Sequence, residues 1–379
     1  MEIEQRLWSE REGWGPRAEP IAPAVDLAFV FGSRRLLEDA ALRREVRRLC
    51  PDAHLFGCST AGEIHDVKVT DDTLVVTAVR LAASRLRTAC VELAHAGDSL
   101  AAGRRIAAEL AARDLRLIFL LSDGLHVNGS ELVRGLNQSQ PPEVMVSGGL
   151  AGDGERFEHT VILWQEEMRE GAVGAVGFYG PALRVGCGSL GGWDPFGPER
   201  LITRSAGNVL YELDGQSALG LYKRYLGEQA AGLPATALLF PLSLRTPEGD
   251  TRVVRTIISC DEDEQSMTFA GDVPEGSYAR LMKANFDRLI DGAHGAAEAS
   301  CEALGASDPE LALLISCVGR KMVLKQRIEE EVEGVREVVG PGTVLAGFYS
   351  YGELSPFTPS ASCELHNQTM TITTLRETV

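Results

Sequence analysis

Short apolar runs alternate along the chain with stretches in which apolar residues recur at helical spacing, the pattern of strands interleaved with amphipathic helices. Residues 27–31 read as a strand, and Leu42, Val46 and Leu49 then fall at i, i+4 and i+7 of a helix. Residues 74–79 and 86–93 predict two adjacent strands, because β-branched residues dominate and a polar break separates them. A helix is expected over 99–112, started by Asp98 or Ser99 and carrying Ile106 and Leu110 on one face. Another begins at Asn128, where Asn128-Gly129-Ser130-Glu131 has capping-box spacing. Residues 161–164, 172–179 and 183–187 are joined by connections too short for crossover helices, so they predict antiparallel neighbours.

The second half continues in this style. Strands are expected near 237–244, 251–259 and 267–270, with the acidic stretch 261–264 as a hairpin turn, followed by helices from Ser277 through Leu304. A helix over 324–339 presents Ile328, Val332, Val335 and Val339 on one face and ends at Gly340-Pro341. Residues 370–375 form a closing strand of partial alternation. The fold class this predicts is α/β (α+β): mixed, largely antiparallel sheets with helices packed outside.

Two segments repeat one pattern, Gly-x-x-[Ser/Thr]-x-Gly-Glu-[Ile/Leu]: GCSTAGEI at 57–64 and GFYSYGEL at 347–354. Each closes a similar unit. In the first, the run 27–31 leads to Arg34 and Arg35, a helical stretch, Pro51 and a second apolar run ending at Gly57. In the last, the run 311–317 leads to Arg320 and Lys321, a helical stretch, Pro341 and a run ending at Gly347. A weaker copy joins 117–121 through a helical stretch from Ser130 and Pro141-Pro142 to SGGLAGD at 147–153. The expectation is a pseudo-symmetric set of duplicated strand–helix–strand units, each ending in a glycine turn and an acid.

At 379 residues the chain exceeds what one small core usually serves. The expected division is an N-terminal arm at 1–24, with Trp8 and Trp14 packing on the body, a domain at 25–215 and a second at 216–379. A net charge of −17 excludes a broad nucleic-acid footprint. The local cluster Arg34, Arg35, Arg43, Arg44, Arg47 and Arg48 is interleaved with Glu38, Asp39 and Glu45, as on a solvated helix face. Eight cysteines without short paired spacings fit neither a disulfide framework nor a metal site, so no metal or other cofactor is expected. The charged N-terminus and the lack of a long uncharged run predict no membrane insertion and a cytoplasmic location.

Taken together, GCSTAGEI, SGGLAGDG (147–154), GGWDPFGP (191–198), TRSAGNVLYELDG (203–215) and FYSYGELSP with CELHNQTMTIT near the C-terminus resemble the FIST sensory domain, in both its N-terminal and C-terminal parts. The resemblance covers about residues 25–377 and rests on several separated motifs in the right order. It implies a bacterial sensory module that binds small ligands, amino acids among them, and that is commonly fused to signalling outputs. A related form occurs in eukaryotic F-box proteins. No residues remain here for an output domain, so the expectation is a separate signalling or regulatory protein as partner.

The expected ligand is small and polar, and the candidate site follows from the glycine-turn-acid ends. Glycines let backbone N–H groups approach a carboxylate, while hydroxyls and an acid suit an ammonium group. This selects Ser59, Thr60, Gly62 and Glu63 in the first copy and Tyr349, Ser350, Gly352 and Glu353 in the last. The other reading is that Gly62 and Gly352 supply positive-φ turns and that Glu63 and Glu353 cap neighbouring strands or pair internally. Gly148, Gly149 and Asp153 are expected in a glycine-rich loop forming a pocket wall. Trp193 lies on a glycine turn, either as a lid or as an anchor; Asp123 follows a strand end; and His366-Asn367 matches the family's C-terminal motif. No catalytic constellation is convincing. A protein-interaction adaptor without a small ligand, or an enzyme using Cys58, Cys363 or His366, are the alternatives.

Overall fold

The structure is a computed structural model and describes all residues except 16–18, 20, 22–23, 95–97, 247–251, 306–307, 358–360 and 379, together with the side chain of Ala235. Among the described residues three pairs of strands run parallel: Leu27–Gly32 with His54–Ser59, Leu115–Ser122 with Met145–Leu150, and Leu311–Cys317 with Val344–Ser350. Helices connect the strands of each pair, as parallel pairing requires. The remaining named pairings are antiparallel, which makes the architecture mixed α+β with largely antiparallel sheets.

The opening glycines of the first and last motifs, and Gly148 of the middle one, are explained by this pairing. Gly57 lies opposite Val30, Gly347 opposite Leu314 and Gly148 opposite Leu120. A Cβ at any of the three would overlap the carbonyl oxygen of that partner.

Each parallel pair is the centre of a six-stranded sheet with the same order of parts: two antiparallel strands on one side, and a short hairpin borrowed from another unit on the other. Ile162–Trp164 adds to His54–Ser59, Gly352–Pro356 adds to Met145–Leu150, and Glu63–His65 adds to Val344–Ser350. The exchange closes on itself, so every glycine-turn-acid end crosses from its own sheet into a neighbouring one.

Strand alternation places side chains in two layers. Leu27, Phe29, Phe31, Leu117, Phe119, Leu121, Leu311, Leu313 and Ile315 meet in a shared central core. There Phe29 lies edge-on to Phe119 at 5.4 Å and Phe31 contacts Phe348 at 4.8 Å. The opposite faces are covered by helices. Leu36, Leu37, Leu42, Val46 and Leu49 of Arg34–Glu38 and Ala40–Leu49 cover Ala28 and Val30. Ser99–Leu110, Gly129–Asn137, Phe286–Leu304 and Ile328–Val339 contribute to the core over the other two sheets. Asn128 caps its helix as expected, its Oδ1 accepting from the Glu131 amide at 3.1 Å.

Three expectations are corrected. Residues 2–8 are not an arm outside the core: Glu2–Trp8 pairs antiparallel with Leu74–Arg80, because the edge of that sheet offers a free ladder. Trp8 and Trp14 pack against the same layer as the first helices, while Pro16, Pro20 and Pro23 lie outside the described residues. Residues 278–283, expected to be helical, form the strand Tyr278–Lys283, held between Asp194–Ala206 and Leu242–Arg245 with Ala279 and Leu281 turned into a core. The helix expected over 324–339 begins at Ile328, because Lys325 takes a φ of +51° and breaks the path from Val318–Leu324.

A fourth sheet lies between Asp194 and Lys283, has its own core and carries the helix Ala218–Leu226. Asp261 Oδ1 accepts from the amides of Asp263 and Glu264, forming the hairpin turn expected there.

Candidate functional site

Glu63 and Glu353, the acids of the two matching motifs, are buried and internally bound. Glu63 is 1% exposed and accepts from the hydroxyl of Thr60 and from the amide (3.1 Å) and hydroxyl (2.7 Å) of Thr73. Glu353 is 0% exposed and accepts from the Ser350 hydroxyl (2.8 Å) and from the amide (3.1 Å) and hydroxyl (2.9 Å) of Thr369. The chemistry is the same at both: a hydroxyl three residues back and a threonine from a later segment. Burial pushes Glu63 up to about 7 and Glu353 up to about 8, against the pull of these hydrogen bonds.

Asp153 and Asp123 are also committed to the fold. The Asp153 carboxylate accepts from the Tyr351 hydroxyl and from the amides of Phe157, Glu158 and His159. Asp123 accepts from the amides of Leu125, His126 and Gly171 and from Thr160 Oγ1. Burial pushes Asp123 up, but the backbone donors outweigh it and hold the carboxyl below its ordinary value.

Other expected site residues are also buried within the fold. Gly148 and Gly149 belong to the strand Met145–Leu150 rather than to a loop, and a Cβ on Gly149 would meet Ile315. Trp193 is an anchor: it is buried, its Nε1 donates to the Gln368 carbonyl at 2.8 Å, and it packs with Met282, Leu289, Val323 and Leu324. Ser59 Oγ accepts from the Val161 amide, and Tyr349 donates its hydroxyl to Glu331 at 2.7 Å. His366 pairs its Nε2 with the Ser355 carbonyl at 2.9 Å and is lowered to about 4 by burial. Asn367 is fully buried, and neither atom of its amide has a partner among the described residues. Gly352 opens the strand that pairs with Met145–Leu150.

One cavity, of about 340 Å³, takes its walls from both halves of the chain and brings together Thr60, Gly62 and Glu63 of the expected set. It lies past the carboxyl ends of three of the parallel strands: Ser33 follows Leu27–Gly32, Thr60 follows His54–Ser59, and Val318 follows Leu311–Cys317. This is where open α/β sheets gather ligand groups. Lys321 reaches in from the helix Val318–Leu324, where its Nζ donates to the Ala61 carbonyl at 2.8 Å, pairs with Asp71 and stands 5.7 Å from the Tyr349 ring. The Ser33 hydroxyl is buried without a hydrogen-bond partner among the described residues. Asp72, Glu155 and Arg156 complete the charged wall. Gly62 is required here: its φ is +140°, and a Cβ would strike Lys321 Nζ.

Family models match most of the sequence, FIST N domain over residues 26–216 and FIST C domain over 218–356. The chain belongs to the FIST family. FIST domains are associated with sensory signal transduction and small-ligand binding. No curated protein matches the FIST chain. Among solved structures it is similar to a crystal structure of cyanuric acid hydrolase from A. caulinodans, at 13% identity over 78% of this chain and 100% of that one. The TM-score of 0.19 gives that likeness no weight. No helix among the described residues of the FIST chain is long and apolar enough to cross a membrane.

Of this cavity's polar wall, Ser33, Asp71, Asp72, Glu155, Arg156 and Lys321 are not among the site residues expected from the sequence. Ser33 carried a usable signal, since it immediately follows a buried strand, the same position that singled out Asp123. Lys321 appeared in the sequence only as half of a basic pair. Its place in the cavity depends on a contact with Ala61, which lies 260 residues away.

Proposed function

We propose that the chain is a sensory protein that binds a free amino acid in the cavity between Ser33, Thr60–Glu63 and Lys321 and relays its occupancy to a separate signalling protein. The observation that carries this reading is the cavity's mixed charge, Lys321 and Arg156 against Asp71, Asp72 and Glu155, beside a Ser33 hydroxyl that has no partner among the described residues. A zwitterion suits such a wall. Its carboxylate would meet Lys321 and the Ser33 hydroxyl, and its ammonium group the carboxylates of Asp71 and Asp72. A ligand there would touch both the turn 60–63 and the helix Val318–Leu324, so it would bias how the two halves meet. That change is the signal offered to the partner.

The test is a thermal-shift screen of the full chain against amino acids, repeated with Ser33→Ala and Lys321→Met. A ligand that binds only the folded state raises the melting temperature by mass action. The expected result is a saturable rise with one chemical class, weakened in both variants. A flat response to every amino acid overturns the reading and favours a protein-interaction adaptor.

A further inference from the structure

A second cavity, of about 490 Å³, opens where the fourth sheet meets the helix Gly129–Asn137 and the strand Cys363–His366, and it shares no residue with the first. Arg255 stands in its wall and is only 4% exposed. Its Nε donates to the Asp272 carbonyl at 3.1 Å, and its Nη1 donates to the carbonyls of Val254 at 3.3 Å and Leu365 at 2.8 Å. Nη2 has no acceptor, and the guanidinium no ion pair, among the described residues. The other arginines of the wall are engaged, Arg134 with Glu131 and Arg245 with Glu199. Burial lowers Arg255 to about 10, which leaves it charged at neutral pH.

A buried cation whose direct partners are all carbonyl oxygens has given up its hydration, and the nearby charges of Glu364 and Asp272 offset that loss without pairing with it directly. A second incomplete group lies in the same wall. Ser130, at the second position of the helix Gly129–Asn137, has a shielded hydroxyl with no partner among the described residues. It stands at the end of the helix where free amides and the helix dipole favour negative charge.

We propose that this cavity is a second ligand site, for an organic oxyanion held by Arg255 Nη2, the Ser130 hydroxyl and the N-terminal turn of the helix. The acids in the wall, Asp272 and Glu364 beside the paired Glu131, are acceptors rather than donors. They select a ligand whose body carries hydroxyl or amino groups. A sugar phosphate and a sugar acid both have this chemistry, and the experiment separates them.

The test is calorimetric titration of the full chain with ribose 5-phosphate in one arm and gluconate in the other, in wild type, Arg255→Met, Ser130→Ala and Lys321→Met. The expected result is saturable binding of one probe, weakened by about tenfold or more in Arg255→Met and in Ser130→Ala, as loss of a hydrogen bond to a charged group implies. Lys321→Met should bind as wild type does, because it belongs to the other cavity. If Arg255→Met fails to fold, Ser130→Ala decides. Neither probe saturating by about 10 mM, or unchanged affinity in Ser130→Ala and a folded Arg255→Met, overturns the proposal.

Discussion

Replacing Glu353 with glutamine is expected to remove most of a steep alkaline loss of stability. The folded carboxyl is raised from 4.5 to about 8 by complete burial, opposed by Ser350, Thr369 and the charge of Arg320. A raised carboxyl binds its proton more tightly in the folded than in the unfolded chain. Its stabilising contribution is therefore fully present below about pH 4.5 and is lost as pH rises through about 8. Between about pH 5 and about pH 9 this one group removes about 4 kcal/mol, taking about 1.4 kcal/mol per unit of pKa difference. Glutamine imitates the protonated acid: its oxygen accepts from Thr369 and its amide donates to Ser350. The assay is urea unfolding of wild type and Glu353→Gln across that pH range, compared as a difference so that groups common to both cancel. The difference should swing towards the variant by several kcal/mol on the alkaline side. Parallel curves would refute the reasoning and show that Glu353 is already ionised in the fold.

Glu63→Gln should behave in the same way with a smaller swing and a midpoint near pH 7, following the lower value at that site; the same titration checks it. Arg320 and Glu331 are both fully buried and paired at 2.7 Å, so Arg320→Met alone should cost about 3–5 kcal/mol, and adding Glu331→Gln should recover part of it in a double-mutant cycle by chemical denaturation. Tyr351→Phe removes the hydroxyl shared by Asp153 and the Phe157 amide and should cost about 1–3 kcal/mol by the same measurement. Gly347→Ala should prevent stable folding, because the added methyl overlaps the Leu314 carbonyl; soluble expression with native-like unfolding would contradict it.

Much of the fold was legible because its strands and helices keep simple periods. The stripe Leu42, Val46 and Leu49, the cap Asn128 and the strands flanking each motif are local patterns, and each appears where its spacing placed it. The failures have non-local causes. Glu2–Trp8 became a strand because Leu74–Arg80 exposes a ladder to it, and Tyr278–Lys283 because two neighbours bracket it. The acids of the motifs were visible, but not their partners: Thr73, Thr369 and Tyr351 carry no mark in sequence that ties them to Glu63, Glu353 and Asp153. The cavity groups Ser33 and Lys321 are brought together from distant segments by the same long-range pairing.

The closed exchange of hairpins has a consequence for how the chain is made. Among the described residues, Glu63–His65 joins its sheet by pairing with Val344–Ser350, and Leu183–Leu190, outside the exchange itself, joins the same sheet by pairing with Met370–Glu377. Both contacts span long stretches of sequence, the kind of topology that slows folding. During synthesis the early segments leave the ribosome well before the strands that receive them. They must wait, with apolar faces uncovered, until the last strands emerge, and that interval is when aggregation competes with folding.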